Sequence, residues 1–187
     1  MFTLNVPNVL TLLRILLVPV LVVALLEETA NGDLLAAIVF AVASFTDAID
    51  GYLARSRGDI TNFGKLMDPV ADKLLILAAL IALVSLDRVA AWVAMVIITR
   101  EFAVTVTRMA ATQQGLVIAA NAWGKAKTTV QIACVFSLIA VDGSPPWLDA
   151  LVYATVAITL ISGVDYFFGL RRTLRAAPAS SQSRADA

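Results

Sequence analysis

Residues 47–72 read Asp47-Ala-Ile-Asp50-Gly51-Tyr-Leu-Ala54-Arg55-Ser-Arg-Gly-Asp-Ile-Thr61-Asn-Phe-Gly64-Lys-Leu-Met-Asp68-Pro-Val-Ala-Asp72. If the apolar run ending at Phe45 continues as a helix, Asp47, Asp50, Gly51 and Ala54 fall at i, i+3, i+4 and i+7 and share one face. Gly64, Asp68 and Asp72 fall at i, i+4 and i+8, one face of the helix that enters the next apolar run. Pro69 fits near a helix start, or else kinks it. The two acidic faces are joined by the short polar stretch from Ser56 to Asn62, so they can meet. Four carboxylates brought together at a membrane boundary stay ionised only if cations compensate them. Oxygen ligands without Cys or His select Mg²⁺, Mn²⁺ or Ca²⁺ over zinc. Four such groups can hold two divalent ions, a common clamp for a transferring phosphoryl group. Gly51, Ala54 and Gly64 lack bulk, which lets a helix or a flat nucleotide come close. The competing reading makes the aspartates solvated helix ends paired with Arg55, Lys65 and Lys73. It does not account for three small residues on the same faces.

The rest of the chain supplies the setting. Of 187 residues, 60% are hydrophobic and 15% charged, with a mean hydropathy of +0.87. A soluble domain carries about 25% charged residues, so this composition predicts an all-α integral membrane protein. Six apolar segments stand out, near 9–26, 34–45, 70–86, 89–109, 128–141 and 147–170. They predict six transmembrane helices around a polar active-site cavity that faces the cytoplasm. Several apolar cores are short and reach spanning length, about 20 residues, only if polar residues at their ends continue the helices. With no histidine and one cysteine, Cys134, triads built on His, HExxH zinc sites and haem on His are excluded. The chemistry must run on carboxylates, Lys, Arg and hydroxyls. No secretory signal is expected, because residues 1–8 carry no basic region.

Lys plus Arg and Asp plus Glu number 14 each, but the charges are sorted. The connections after the first, third and fifth segments hold Glu27, Glu28, Asp33, Asp87, Asp142 and Asp149, with Arg88 as their only base. The other bases lie within helices or toward the opposite side. By the positive-inside tendency both termini and the site face the cytoplasm of a plasma (inner) membrane. Residues 1–175 are expected to form the membrane domain and 176–187 a disordered cytoplasmic tail. Trp92, Trp123 and Trp147 fit interfacial positions, Cys134 fits packing, and Asp165 in the sixth segment has no assigned role.

The 47–72 stretch resembles the signature of the CDP-alcohol phosphotransferases, D-x2-D-G-x2-A-R-x8-G-x3-D-x3-D, at every fixed position. The similarity extends over about residues 5–170. It implies a six-span enzyme that moves a phosphatidyl group from CDP-diacylglycerol to an alcohol and releases CMP. It implies that Asp47, Asp50, Asp68 and Asp72 hold two Mg²⁺ or Mn²⁺ ions, with Asp72 also the general base toward the acceptor hydroxyl. Gly51, Ala54, Arg55 and Gly64 then face the CDP-lipid, with Thr61 beside them. A guanidinium fork at Arg55 suits a pyrophosphate oxygen.

The run Asn5-Val-Pro-Asn8-Val-Leu-Thr11-Leu-Leu-Arg14 resembles the opening of the glycerophosphate-using branch and of the related cardiolipin synthases. Asn8, Thr11 and Arg14 recur at helical spacing, Asn8 and Thr11 as CDP-lipid contacts; alternatively the run is an interfacial helix start with a snorkelling Arg14. The segments Asp68–Lys73, Thr99–Phe102 and Gly124–Thr128 look most like that branch, which implies glycerol 3-phosphate as acceptor. Its dianion needs fixed cations, for which Arg100, Arg108, Lys125 and Lys127 are candidates. Arg100 pairs either with Glu101 or with an active-site aspartate; Lys125 and Lys127 are otherwise topology anchors. Phosphatidylglycerol or inositol phosphate are the alternative acceptors. The family resemblance suggests a homodimer, and no nucleic-acid partner is expected. From a different class, intramembrane aspartates also serve ion or proton transport, which leaves Gly51, Ala54, Arg55 and Gly64 without a purpose.

Overall fold

The computed structural model describes residues 6–27, 31–57, 62–113 and 122–176. Within these, the side chains of 6–8, 47–57, 62–69, 72, 122–123, 125 and 174–176 lie outside the description. Six helices follow one another: α1 (Val6–Leu26), α2 (Gly32–Arg57), α3 (Asn62–Ser85), α4 (Ala91–Gln113), α5 (Ala122–Ala140) and α6 (Pro146–Ala176). Each apolar segment of the sequence maps onto one helix, with 70–86, 89–109 and 128–141 running one or two residues past a helix end. The helices outrun the apolar segments on the polar side: α2 continues through Asp47 and Asp50 to Arg57, and α5 begins at Ala122. Intrahelical hydrogen bonds satisfy the backbone whatever the side chains are, so a change from apolar to polar sequence does not by itself end a helix. The tail expected from Ala176 begins one residue later at the earliest, since α6 includes Ala176.

Among the described residues, two helices carry apolar windows long enough to cross a bilayer, Val9–Leu26 and Pro146–Thr173. The apolar stretches Gly32–Thr46, Lys73–Ser85 and Ala126–Ala140 are shorter.

Helices α1, α2 and α3 pack on one another, α6 packs on α4 and α5, and α3 joins the two groups through α4 and α5 while α2 also meets α5. The core lies toward the α1–α2, α3–α4 and α5–α6 connections. There Leu21, Phe40, Leu80, Leu83, Val135 and Ile139 are fully buried. Ala36, Ala43, Ala79 and Ala82 are buried among them, small residues that let backbones approach.

The α3–α4 turn closes this end. Arg88 N donates to Leu83 O (2.9 Å) and Asp87 N to Val84 O (3.1 Å), a Schellman cap with Asp87 in the left-handed position at φ 55°. That cap delivers Arg88 to Asp33 in the first turn of α2, 2.6 Å away, while its other amino group donates to Ile139 O on α5 (3.3 Å). The one base of this end thus ties three helices. Gly143 adopts φ 82° in the next turn, ahead of Pro146 at the start of α6, where a missing N–H costs nothing.

Candidate functional site

The opposite half of the bundle is polar inside. Thr11 and Arg14 on α1 are 1% exposed, Lys127 on α5 5% and Gln131 3%. Each follows from helical spacing: Thr11 and Arg14 are i, i+3, and Lys127 and Gln131 are i, i+4, so each pair occupies one inward face. Arg14, Ser44, Lys73, Glu101, Lys127 and Gln131 supply the polar wall of a cavity of about 150 Å³, where one water needs roughly 10–15 Å³.

At its centre is Glu101, whose side chain is 14% exposed. Lys73 Nζ on α3 lies 3.6 Å from Glu101 Oε2. Arg100 Nη1 donates to Oε1 at 3.2 Å, and Lys127 Nζ donates to the same oxygen. Arg100 turns its second amino group to Ser162 Oγ on α6, 3.0 Å away. Its stem passes Gly163, where an added Cβ would stand 3.3 Å from Arg100 Cγ.

Desolvating an ion costs several kcal/mol even after relaxation. Three partly buried bases around one acid therefore exceed what an internal ion pair requires. Among the described lining residues, Arg14, Lys73 and Lys127 stand against Glu101 alone, a surplus of two positive charges. Such a wall suits an anion of matching charge.

The residues expected at the site divide into three groups. Thr11 and Lys127 are buried and Lys127 lines the cavity. Arg100 faces Glu101 and α6, the first of its two expected pairings. Arg108 is exposed, with its guanidinium carbon 5.7 Å from the ring centre of Tyr166, so it is not gathered with the others. For Asp47, Asp50, Gly51, Ala54, Arg55, Gly64, Asp68 and Asp72 the helical backbone is described and the side chains are not. Asp47, Asp50, Gly51, Ala54 and Arg55 ride on the last turns of α2, and Gly64, Asp68 and Asp72 on the first turns of α3. The side chains of Asn8 and Lys125, and the whole of Thr61, also lie outside the described residues.

Sequence reasoning passed over Lys73, Ser44 and Gln131 as site residues and treated Glu101 only as a partner for Arg100. The signal was present in the spacing. Ser44 precedes Asp47 by three positions, Lys73 interrupts an apolar stretch, and Gln131 follows Lys127 by one turn.

The model of the CDP-alcohol phosphatidyltransferase family matches residues 4–162, most of the chain. The chain belongs to that family. A Bacillus subtilis relative named CDP-diacylglycerol–glycerol-3-phosphate 3-phosphatidyltransferase is 43% identical over 180 aligned positions, covering 87% of this chain and 93% of the relative. A Mycobacterium tuberculosis relative named probable phosphatidylglycerophosphate synthase is 42% identical, covering 87% of this chain and 79% of its own. A Haemophilus influenzae relative named as the Bacillus one is 32% identical over 87% of this chain and 91% of its own. Membership in the CDP-alcohol phosphatidyltransferase family makes the chain a transferase and sets ion transport aside. Within that family's frame, α2 and α3 carry the signature residues, while α1 to α5 all contribute to the wall of the cationic cavity.

Proposed function

We propose that the chain catalyses CDP-diacylglycerol + sn-glycerol 3-phosphate → phosphatidylglycerol phosphate + CMP. The cluster around Glu101 carries this assignment. A cavity whose described lining residues carry two more positive than negative charges suits the phosphate dianion of glycerol 3-phosphate, and the relatives' names give that acceptor. Phosphatidylglycerol or inositol phosphate fit the names less well.

The acceptor phosphate would sit against Lys73 and Lys127, leaving the glycerol hydroxyl toward the signature residues of α2 and α3. Asp72, the last fixed position of the signature, one turn after Asp68 on α3, would be the base. It takes the hydroxyl proton as the hydroxyl oxygen bonds to the β-phosphorus of the donor. The bond from that phosphorus to the bridging oxygen breaks, and CMP leaves with the electron pair. Arg55 would bind a pyrophosphate oxygen, while Gly51, Ala54, Gly64, Asn8, Thr11 and Thr61 shape the donor site. The donor set Asp47, Asp50, Asp68 and Asp72, all carboxylate oxygen, fits two Mg²⁺ or Mn²⁺ ions, which when bound neutralise pyrophosphate charge. With substrates so placed, positioning and charge compensation supply most of the catalysis.

We place all six helices across a plasma membrane, with both termini and the site cytoplasmic and a homodimer as the assembly the family suggests. At about 1.5 Å per residue the helices run from roughly 28 Å for the 19 residues of α5 to 46 Å for the 31 of α6. A hydrocarbon core is about 30 Å thick. Large apolar side chains such as Leu16, Phe45, Ile81, Met95, Val106 and Tyr153 are 60–68% exposed, while Arg14, Lys127 and Gln131 are buried. Apolar outside and polar inside is the distribution a bilayer selects.

Detergent-purified protein given CDP-diacylglycerol, labelled glycerol 3-phosphate and Mg²⁺ should release CMP and yield a labelled lipid phosphate. The same assay with phosphatidylglycerol or inositol phosphate should give little product. CMP release with either of those, and none with glycerol 3-phosphate, would overturn the acceptor.

A further inference from the structure

Glu101 takes no part in the transfer chemistry above, yet it is the one acid among the described residues that line the cavity. Bases from three helices converge on it: Lys73 at 3.6 Å from α3, Arg100 at 3.2 Å from α4, and Lys127 from α5. A lysine ammonium is a compact charge on a flexible four-carbon stem, with nothing in the stem to fix its direction. Two such groups facing one low-dielectric cavity repel each other and swing apart unless an anion stands between them.

Glu101 is built to be that anion. Lys73 approaches Oε2 and Lys127 approaches Oε1, so the two oxygens hold the two ammoniums on either side of one carboxylate. The carboxylate is itself braced. Arg100 donates to Glu101 with one amino group and to Ser162 Oγ with the other, at 3.0 Å. The Arg100 stem has only Gly163 to pass, with 3.3 Å to the position a Cβ would take. Contrast the other end of the bundle, where Arg88 meets Asp33 one to one at 2.6 Å. That pair leaves no charge over; the Glu101 cluster leaves two.

We infer that Glu101 is the positioning residue of the acceptor pocket: braced by Arg100 against Ser162 and Gly163 of α6, it holds Lys73 and Lys127 side by side as a ready-made receptor for a phosphate monoester. The role rests on the cavity being the glycerol 3-phosphate pocket. Glu101 acts through the lysines, and a phosphate arriving beside it meets ammoniums already in place. Their residual charge is unspent, because one carboxylate neutralises only one of three bases. An acceptor without a phosphate gains nothing from the arrangement.

The test is the KM pattern of Glu101→Gln, which keeps the shape and removes the charge. The KM for glycerol 3-phosphate should rise tenfold or more, with the KM for CDP-diacylglycerol changed less than twofold. In a Lys127→Met background, Glu101→Gln should raise the glycerol 3-phosphate KM by less than threefold further. Equal rises in both KM values, or a full additional tenfold in the Lys127→Met background, would overturn the inference. Should Glu101→Gln fail to fold, Glu101→Asp decides: the charge stays but is one methylene short of the lysines. A rise confined to glycerol 3-phosphate supports the inference, and wild-type KM values or parallel rises overturn it. A wild-type enzyme with no turnover of glycerol 3-phosphate would instead sink the proposed acceptor, whatever the variants do.

Discussion

Lys127→Met removes one charge from the proposed acceptor pocket while keeping the length and most of the volume of the side chain. The Lys127 side chain is 5% exposed and bonded to Glu101, so its ammonium sees little water. Removing one member of an isolated buried pair costs about 3–5 kcal/mol of stability because the other is left uncompensated. Here Glu101 keeps Arg100 at 3.2 Å and Lys73 at 3.6 Å. The stability loss should therefore fall to about 1–2 kcal/mol, near the ordinary range for a point substitution. Binding suffers more. A hydrogen bond to a charged group contributes roughly 1.5–3 kcal/mol, and each 1.4 kcal/mol is about tenfold in affinity. The KM for glycerol 3-phosphate should rise roughly 10- to 150-fold, with the KM for CDP-diacylglycerol nearly unchanged. Initial rates of CMP release with either substrate varied in detergent micelles measure both constants. A glycerol 3-phosphate KM within threefold of wild type, in a variant that elutes as a single species with wild-type helicity, would refute Lys127 as an acceptor contact. Parallel loss toward both substrates would make Lys127 structural.

Asp72→Asn should abolish CMP release while preserving the fold, since α3 runs helically on both sides of it; activity near wild type would remove Asp72 as the base. Chelation by EDTA should stop turnover and added Mg²⁺ or Mn²⁺ should restore it, as the proposed four-aspartate metal site requires; turnover indifferent to the chelator would exclude that site. Asp87→Gly should stabilise the protein by about 1 kcal/mol, because a left-handed residue with a Cβ carries a penalty of that order, read as a higher melting temperature with both KM values unchanged. Gly163→Ala should leave stability close to wild type, the gain in helix propensity of about 1 kcal/mol offsetting the 3.3 Å approach to Arg100 Cγ. It should still raise the glycerol 3-phosphate KM several-fold by moving Arg100 against Glu101, and an unchanged KM would show that Arg100 absorbs the methyl group without consequence.

Much of this was legible in residue spacing. The six helices followed from six apolar segments separated by polar connections, and α2 had to continue past Phe45 if Asp47, Asp50 and Ala54 were to share a face. The isolation of Arg88 among acids foreshadowed its tie to Asp33, although not the bond to Ile139 O, which depends on how α5 packs. The acceptor wall was less legible. Arg108 and Lys127 look equivalent as charges near helix ends, but Arg108 lies exposed over Tyr166 and Lys127 is buried beside Glu101. That difference is set by the rotation of α4 and α5 about their own axes, a tertiary property. Glu101 was hidden for the same reason. An acid next to Arg100 in sequence looks like a local pair, and only the packing of α3 and α5 against α4 brings Lys73 and Lys127 to it.

The two ends of the bundle answer different demands, and the separation explains how a pocket with surplus charge is tolerated. A cluster of bases around Glu101 pushes α3, α4 and α5 apart when no anion is bound. Packing that opposes this push lies at the far end, where Leu83 of α3, Val93 of α4, and Val135 and Ile139 of α5 belong to one buried cluster. In the proposed bilayer setting the transfer of apolar side chains from water contributes little between helices, so close packing and hydrogen bonds must supply the attraction. The buried alanines of α2 and α3 and the Arg88 bonds to Asp33 and Ile139 O are of that kind. Because these restraints sit at the opposite end from the cavity, the charged ends of the helices can shift slightly as a phosphate enters without loosening the core. Substitutions at the packed end should accordingly lower stability with both KM values intact, and substitutions around Glu101 should act mainly on the glycerol 3-phosphate KM.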